Sequence, residues 1–190
     1  METTAFVLTK KGDATTAFSL QTIQLPDLKE QQVRIQVEAF GLNYADVMAR
    51  RGLYREAPPM PCVIGYEVVG IVEAVGTKVN QVLIGTRVVG FCRFGGYAQH
   101  VITEEHAVVA IGEMEAAEAL ALATQFVTAH YMVERTANVQ AGERILIHAA
   151  AGGVGTALIQ LCKRKNALVC AKIGSRSKEQ IVRDLGADEV

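Results

Sequence analysis

A glycine-rich turn between a buried strand and a helix constrains the fold of this chain more than any other feature. Residues 144–148 have the pattern of a short buried strand, and a helix is predicted at Gly153–Lys165. Apolar residues recur on that helix at helical spacing, at Val154, Ala157, Leu158 and Leu161. A strand, a glycine turn and a helix in this order open a dinucleotide-binding βαβ unit, so we expect a parallel sheet.

The turn itself reads Ala-Ala-Gly-Gly-Val-Gly at residues 150–155. In the G-x-G-x-x-G frame, Ala150 takes the first position, Gly152 the second and Gly155 the third. The chain must leave the strand sharply, bring bare backbone against a pyrophosphate and let the helix pack closely on the sheet. Free N–H groups and the helix dipole then favour phosphates at the helix N-terminus, with a purely structural turn as the alternative. The predicted phosphate-binding residues are Ala151, Gly152, Gly153, Val154 and Gly155.

The second predicted strand of this unit covers residues 167–173, and the turn that follows it indicates which dinucleotide fits. An NAD site places a carboxylate about 20 residues further on, where it binds the ribose 2′-hydroxyl. Here no carboxylate lies between this strand and Glu179, and the turn carries Ser175, Arg176 and Lys178 instead. A hydroxyl and basic side chains suit a 2′-phosphate, so NADP(H) is the predicted cofactor, with a solvated basic turn as the alternative.

The first part of the chain has a different pattern, that of short strands separated by glycines. The predicted strands are residues 33–39, 68–75, 87–91 and 97–103, with one helix at Asn43–Arg51. This pattern is typical of a partly closed all-β barrel. Helices are then predicted at Glu115–Thr124 and Phe126–Thr136, ahead of the βαβ region. We therefore expect a two-part fold, α+β and then α/β, with domains at 1–123 and 124–190.

Composition excludes several classes of partner. The chain has 19 basic and 20 acidic residues and a net charge of −1, which does not indicate nucleic-acid binding. No apolar run reaches the roughly 18–20 residues of a membrane span and no signal-peptide pattern opens the chain, so we expect a cytoplasmic protein. The cysteines are far apart and form no C-x-x-C pair, which favours buried free thiols at Cys62, Cys92, Cys162 and Cys170.

Further segments complete a set of motifs that is specific when taken together. Residues 65–70 read Gly-Tyr-Glu-Val-Val-Gly, followed by Val75-Gly76, and resemble the G-x-E-x-x-G…V-G signature of medium-chain dehydrogenases/reductases. The glycine turn at 150–155 and the segments 41–46 and 95–98 are similar to the zinc-free quinone oxidoreductase branch. Residues 42–54 resemble in particular the synaptic-vesicle amine-transport protein homologues of that branch. Thr86 departs from the family, which usually has an acidic residue there.

The resemblance implies a GroES-like catalytic barrel, a Rossmann domain and an active site in the cleft between them. It also implies hydride transfer from NADPH to a quinone or a similar electron-poor acceptor. Asn43, Tyr44 and Asp46 resemble family residues near the nicotinamide, Tyr54 lies beside the same cleft, and Thr128 matches a threonine near the cofactor phosphates. The alternatives are helix capping for Asn43 and Asp46, packing for the two tyrosines and helix-surface polarity for Thr128.

The resemblance also bears on metal binding. Zinc-dependent relatives have Cys and His at the positions of Asn43 and Tyr66, and Asn and Tyr are poor zinc ligands. The closely spaced cysteines of a structural zinc lobe are absent from the sequence, and its histidines stand apart from one another. We therefore expect no metal.

Only part of a Rossmann domain is recognisable in this sequence. A complete Rossmann sheet has about six strands, and two are predicted here. We expect these 190 residues alone to lack the nicotinamide-side wall and ordinary turnover, and to expose apolar residues such as Ile145 and Ile147. The full-length protein is expected to be a homodimer that acts on a small molecule, a quinone or an enone. An enoyl-thioester or alkenal reductase and a non-catalytic NADPH-binding protein are the alternative functions.

Overall fold

Alternating apolar residues build the antiparallel strands of the first structural unit, Met1–Leu120. In the computed structural model, which describes residues 1–190, Ala121–Val190 forms a second unit. The strands of the first unit are β1 Glu2–Leu8, β2 Phe18–Gln24, β3 Gln32–Phe40, β4 Cys62–Val63, β5 Glu67–Val75, β6 Arg87–Phe91, β7 His100–Glu104 and β8 Val108–Ala110. Its helices are α1 Ala14–Ala17, α2 Tyr44–Arg50 and α3 Ala116–Leu120, with a short 3-10 turn at Glu105–Ala107.

These strands form two antiparallel sheets. One has five strands in the order β7-β3-β5-β6-β8, and the other has three in the order β2-β1-β4. A bridge between Ala5 and Ala98 connects β1 to the segment before β7. The five-stranded sheet has a core of fully buried branched residues, Val33, Ile35, Val68, Val72 and Val88. The antiparallel β architecture expected for this part of the chain is therefore confirmed.

Three of the predicted strands match the structure closely, since β3, β5 and β6 begin and end within one residue of the predicted bounds. The strand predicted at 97–103 is shorter, because β7 begins at His100 and the residues before it bridge to β1. β1 and β2 are not among the predicted strands, because threonine and glutamine at several of their positions obscure the alternation of apolar residues. One of these, Thr3, is buried, and its Oγ1 atom lies 3.0 Å from His100 Nδ1.

The second unit contains the predicted strand, helix and strand. β9 is Arg144–Ile147, α5 is Gly153–Arg164 and β10 is Leu168–Ala171. The two strands pair in parallel, so the predicted βαβ unit is confirmed. After β10 the chain makes a 3-10 turn at Arg176–Lys178 and continues as α6, Glu179–Asp184.

A long helical segment precedes β9. It runs as π-helical turns at Ala121–Phe126, α4 at Val127–Tyr131 and π-helical turns at Met132–Thr136, with non-helical backbone angles at Ala123. Together with α3, this helical segment covers both predicted helices, which are therefore borne out in outline, but its widened turns continue through Gln125, where the sequence predicts a break. None of the helices is both long and apolar enough to cross a membrane.

The two faces of β9 differ, and this corrects one expectation. Ile147 is buried, at 2% exposure, and Ile145 is half-buried, whereas Leu146 between them is 61% exposed. Successive side chains of a strand point to opposite faces, and here the isoleucine face packs into the core of the unit. The expectation that Ile145 and Ile147 lie in water is therefore wrong. Leu146 is the exposed apolar residue.

The buried face of α5 is broader than the predicted row of apolar residues. Ala157 is buried as predicted, but Leu158 and Leu161 are half-buried, and Ile159 and Cys162 form the deepest part of the stripe. The helix packs against the sheet over a broad face, so burial extends one position beyond the predicted row.

All cysteines are free, as expected, but they are not all buried. Cys92 and Cys162 are buried, whereas Cys62 and Cys170 are partly exposed.

Candidate functional site

Three of the predicted site residues, Asn43, Tyr44 and Asp46, lie at the start of α2. Asn43 precedes the helix with an extended backbone, φ −119° and ψ 153°, and Asp46 lies in the first turn. The Asp46 Oδ2 atom accepts a hydrogen bond from the backbone N–H of Asn43 at 2.8 Å, as part of a capping box. An Asn-x-x-Asp sequence favours this arrangement, because its side chains satisfy N–H groups that the helix leaves free. Capping therefore accounts for part of the role of both residues.

Glu67, the first residue of β5, joins this cluster from another part of the chain. It is 1% exposed, and Asn43 Nδ2 donates to both carboxylate oxygens, at 2.9 Å from Oε1 and 3.0 Å from Oε2. Gly41 makes room for the carboxylate, since a Cβ atom there would lie 1.9 Å from Oε1. The sequence shows Glu67 only as the glutamate of the G-x-E-x-x-G motif. Its contact with Asn43 is not predictable from local pattern, because the two residues are 24 positions apart.

Burial controls the protonation of this cluster. Asp46 is 5% exposed, and burial raises the pKa of its carboxyl group although the Asn43 N–H bond acts to lower it. Its Oδ1 atom has no partner with hydrogen-bond geometry, although the Tyr97 phenol lies close enough to interact with the carboxyl group. Burial raises the pKa of Tyr97, and the charge of Asp46 adds to this rise. Burial, then the charges of Glu67 and Asp46, raise the pKa of the Cys92 thiol to about 12.

The two predicted tyrosines have different surroundings. Tyr44, the first residue of α2, is 72% exposed, so packing does not account for it. Tyr54 is half-buried, and its ring meets Tyr66 edge-on, with centroids 6.4 Å apart and an interplanar angle of 90°. Tyr66 in turn packs against Phe94, with centroids 5.4 Å apart. Tyr54 therefore packs against an aromatic neighbour, whereas Tyr44 is exposed to solvent.

Tyr66 is the residue that the resemblance matches to the histidine ligand of zinc-dependent relatives. Its hydroxyl oxygen is buried and has no partner with hydrogen-bond geometry, even though Tyr54 lies beside it. Burial first, and then the neighbouring Tyr54, raise the pKa of the Tyr66 phenol. A phenol that holds its proton tightly is a poor metal ligand, because metal binding requires its loss. The structure contains no group of three or more His, Cys, Asp or Glu side chains placed to hold a metal ion.

In the second unit, the glycine turn leaves β9 with the geometry that the motif requires. Ala149 adopts a left-handed conformation, φ 51°, and its carbonyl accepts a hydrogen bond from Gly152 N–H at 2.8 Å. A Cβ atom on Gly155 would lie 2.4 Å from the Ala149 carbonyl oxygen and 2.7 Å from the Ala150 carbonyl carbon. The helix can therefore approach the strand this closely only with glycine at the third position of the motif.

The helix start beyond this turn is open to a ligand. Gly152 precedes α5 with an extended backbone and no side-chain cap, and both Gly152 and Gly153 are exposed. The first N–H groups of a helix have no partner within the helix, so those of Gly153, Val154 and Gly155 suit an anion. Ala151, the remaining predicted residue, is half-buried in the turn.

Gln125 also reaches this turn, and the sequence gives no sign of it. A Cβ atom on Gly153 would lie 2.0 Å from Gln125 Oε1, so the absence of a side chain at Gly153 admits the glutamine amide. Gln125 belongs to the π-helical turns at Ala121–Phe126. Its amide group is therefore placed beside the start of α5.

The predicted basic turn lies at the same edge of the sheet as the glycine turn. Both follow the carboxyl ends of parallel strands, and the Ala150 N–H donates to the Lys172 carbonyl at 3.0 Å. Ser175 Oγ accepts from Ser177 N–H at 3.3 Å, and the flanking Arg176 and Lys178 are exposed. The exposed Ser175 and the two basic residues Arg176 and Lys178 thus lie at the same sheet edge as the glycine turn.

Thr128 lies apart from these groups in sequence, on α4, and is exposed. The structure therefore brings Asn43 and Asp46 into contact in the first unit, and it places the glycine turn and the basic turn at one sheet edge in the second. Tyr44 and Thr128 are surface residues whose contacts with a ligand stay a prediction.

Comparison with known proteins identifies the first unit. Residues 29–113 match the family model described as the alcohol dehydrogenase GroES-like domain. The human synaptic vesicle membrane protein VAT-1 homolog-like is 37% identical over 161 residues, which are 84% of this chain and 38% of that protein. The quinone oxidoreductase of Lama guanicoe is 34% identical over 170 residues, 88% of this chain and 52% of that protein. The chain thus spans about two fifths to one half of the length of these relatives.

Solved structures show the same fold. The human VAT-1 homolog-like protein superimposes with a TM-score of 0.90 at 36% identity, over 97% of this chain and 60% of that chain. The Escherichia coli quinone oxidoreductase complexed with NADPH gives 0.87 at 29% identity, over 98% and 57%. The CurK enoyl reductase gives 0.89 at 32% identity, over 98% and 58%. The expected combination of a GroES-like barrel with the first part of a dinucleotide-binding domain is therefore confirmed.

Proposed function

This chain belongs to the medium-chain dehydrogenase/reductase superfamily, and on that premise we propose that it serves NADPH-dependent, zinc-independent hydride transfer to a quinone or a similar electron-poor acceptor. The observation that carries the proposal is the glycine turn, whose close helix approach and uncapped helix start fit a dinucleotide pyrophosphate. The chain spans about half or less of its relatives, so the activity is that of a protein with a complete dinucleotide domain.

The residues present fit NADP(H). Gly152 is exposed beside the start of α5, where bare backbone lets a pyrophosphate approach, and the N–H groups of Gly153 and Val154 would donate to it. Ser175, Arg176 and Lys178 would hold a 2′-phosphate, because each offers a donor to its oxygens. A quinone oxidoreductase with a similar fold has been solved with NADPH. When bound, this cofactor supplies the hydride.

The first unit would supply the acceptor side. A quinone that accepts hydride develops negative charge on oxygen, which a hydrogen-bond donor stabilises. The exposed phenol of Tyr44 is such a donor, and Tyr54 is a second candidate, half-buried against Tyr66. Asn43 and Asp46 would act beside them at the start of α2, where the Asp46 carboxylate holds the Asn43 backbone. Thr128 is assigned to the cofactor phosphates by resemblance alone.

Zinc independence is proposed from the chemistry of the groups at the two ligand positions. The Asn43 amide nitrogen is engaged by Glu67, and burial keeps the Tyr66 phenol protonated. Neither group is the thiolate, imidazole or carboxylate that zinc prefers. The acceptor oxygen would then be stabilised by hydrogen bonds and not by a metal ion.

The test compares two proteins: the 190-residue chain, and the same chain extended by the C-terminal part of the Escherichia coli quinone oxidoreductase. NADPH oxidation is followed with 1,4-benzoquinone as acceptor, after dialysis against a chelator. We expect turnover by the extended protein and none by the chain alone, since the chain provides only the first strands of the dinucleotide-binding sheet. An extended protein that binds NADPH but does not reduce the quinone would contradict the proposed activity. Restoration of activity by zinc alone would contradict zinc independence.

An enoyl-type reductase is the second candidate, because the solved CurK enoyl reductase has the same fold at 32% identity. Both reactions require a hydride donor and a group that stabilises an oxyanion, so the same residues would serve. The extended protein should be assayed with crotonyl-coenzyme A beside the quinone. Faster reduction of the thioester than of the quinone would favour this second candidate.

A further inference from the structure

We propose that Glu67 is a positioning residue that fixes the Asn43 amide and, through it, the first turn of α2. The proposal has a structural part, which concerns the contacts of the two side chains. It also has a catalytic consequence, which rests on the function proposed above for Asn43 and Tyr44. Glu67 itself is placed too deep to meet a substrate, at 1% exposure.

A buried carboxylate requires fixed partners, because the transfer of a charged group out of water is costly. Glu67 has one in the Asn43 amide, which donates to both of its oxygens at 2.9 and 3.0 Å. The chain also makes room for it, because a Cβ atom on Gly41 would overlap the carboxylate. Glu73, further along the same strand, shows the ordinary alternative: it is 25% exposed and pairs with Arg34. The site of Glu67 is therefore built around its carboxylate.

The contact fixes which way the Asn43 amide faces. With Nδ2 toward the carboxylate, a donor meets an acceptor, whereas a flipped amide would place Oδ1 against two acceptor oxygens. The backbone of Asn43 is held as well, because its N–H donates to Asp46 Oδ2 at 2.8 Å. Two buried carboxyl groups from different elements therefore fix Asn43 at its side chain and at its main chain.

This double attachment determines the position of the next residue in the chain. Tyr44 is 72% exposed, so few contacts of its own side chain hold it in place. Its orientation depends on the backbone of the first turn of α2, which the Asp46–Asn43 bond fixes internally and the Glu67–Asn43 bond connects to β5. Loss of the Glu67 contact should loosen this turn and with it the phenol of Tyr44.

The structural part is tested by nuclear magnetic resonance on the intact 190-residue chain labelled with 15N. Glu67→Gln leaves an acceptor oxygen but removes the charge, and hydrogen bonds to charged groups are the stronger ones. We expect the Asn43 side-chain amide protons to exchange with solvent at least about tenfold faster in this variant. Glu73→Gln is the matched control, with the same substitution on the same strand, and should leave the Asn43 exchange rate unchanged.

A second variant tests the same contact from the other side and guards against misfolding. Gly41→Ala retains Glu67 but places a Cβ atom where its carboxylate lies, so it should also speed exchange of the Asn43 amide. Unchanged Asn43 exchange in both Glu67→Gln and Gly41→Ala, with folded spectra, would overturn the positioning role. If Glu67→Gln does not fold, Glu67→Asp replaces it, and the same expectation applies because the shorter chain cannot reach Asn43.

The catalytic consequence is tested in the extended protein with NADPH and 1,4-benzoquinone. Glu67→Gln should lower kcat roughly tenfold or more and leave the Kd for NADPH within about twofold, since the glycine turn lies in the other unit. An unchanged kcat with a faster Asn43 exchange would overturn the catalytic consequence and retain the structural part. If the parent protein itself has no turnover, the proposed function fails, while the exchange rates still decide the positioning role.

Discussion

The start of α2 and the glycine turn before α5 are both candidate sites at a helix N-terminus, but they are built in opposite ways. At α2 the helix start is filled by buried side chains: Asp46 holds the Asn43 N–H, and Glu67 holds the Asn43 amide. At α5 the helix start is left bare, with an exposed Gly152 and no side-chain cap. An N–H group at the start of α2 is thus satisfied by a side chain of the same unit, whereas those at the start of α5 have no side-chain partner.

The difference teaches what each site can tolerate. Both depend on a glycine that admits a close neighbour, but the neighbour differs. A Cβ atom on Gly155 would meet the backbone of Ala149 and Ala150, whereas one on Gly41 would meet the side chain of Glu67. Backbone can yield only if the helix moves away from the strand, while a side chain can change its rotamer. The shorter distance, at Gly41, should therefore have the smaller effect on stability.

The largest effect is expected for Gly155→Ala. Overpacking against backbone typically costs about 1–3 kcal/mol of the free energy of unfolding, and the displaced helix start should also weaken NADPH binding. Gly174→Ala is the control, because a Cβ atom there would have no neighbour within 4 Å. Urea unfolding of both variants measures the difference. A Gly155→Ala protein as stable as Gly174→Ala would show that the close helix approach is not required.

A smaller loss of stability is expected for Gly41→Ala. The Glu67 carboxylate must leave its place, so the variant loses the hydrogen bonds from Asn43 to a charged group, at a cost of about 1.5 kcal/mol, the lower end for such bonds. The same urea unfolding measures the loss, and the resonance of the Asn43 amide reports the cause. A loss greater than that of Gly155→Ala would reverse the comparison between the two sites.

The smallest effect concerns pH and belongs to α2 alone. Burial raises the pKa of Asp46 above its ordinary value of 3.8, so the folded unit binds more protons than the unfolded chain between these two values. The free energy of unfolding therefore falls as the pH rises through this window, and the loss is complete above the folded pKa. Asp46→Asn should remove this contribution and flatten the profile, as urea unfolding between pH 3 and pH 7 would show. Parallel profiles for parent and variant would contradict the raised pKa.

The sequence predicts one of these two sites well and the other only in part. The glycine turn is contiguous, and its strand, turn and helix follow one another in the chain, so local pattern alone predicts its fold. The cluster at α2 depends on Glu67, which lies 24 residues from Asn43 and becomes a partner only when β5 is formed. Capping by Asn43 and Asp46 is a local pattern and is among the sequence expectations. The burial of Glu67 and its fit against Gly41 are not.

The same distinction explains the other differences. β1 and β2 contain polar residues that tertiary contacts accommodate, as Thr3 does beside His100, so no local periodicity predicts them. On β9, a run of apolar residues does not show which face is buried, and packing against the rest of the unit selects Ile147 over Leu146. Gln125 reaches the glycine turn only because Gly153 has no side chain.

Affinity for the two reduced dinucleotides tests the central claim, an NADPH-specific site at the bare helix start, most directly. NADPH and NADH are titrated into the extended protein, and binding is followed by the fluorescence of the nicotinamide. The parent is compared with the double variant Arg176→Ala, Lys178→Ala. We expect NADPH to bind at least about tenfold more tightly than NADH in the parent, because two basic side chains would meet the 2′-phosphate. The double variant should lose that preference and leave the affinity for NADH unchanged. Equal affinities in the parent would contradict the account.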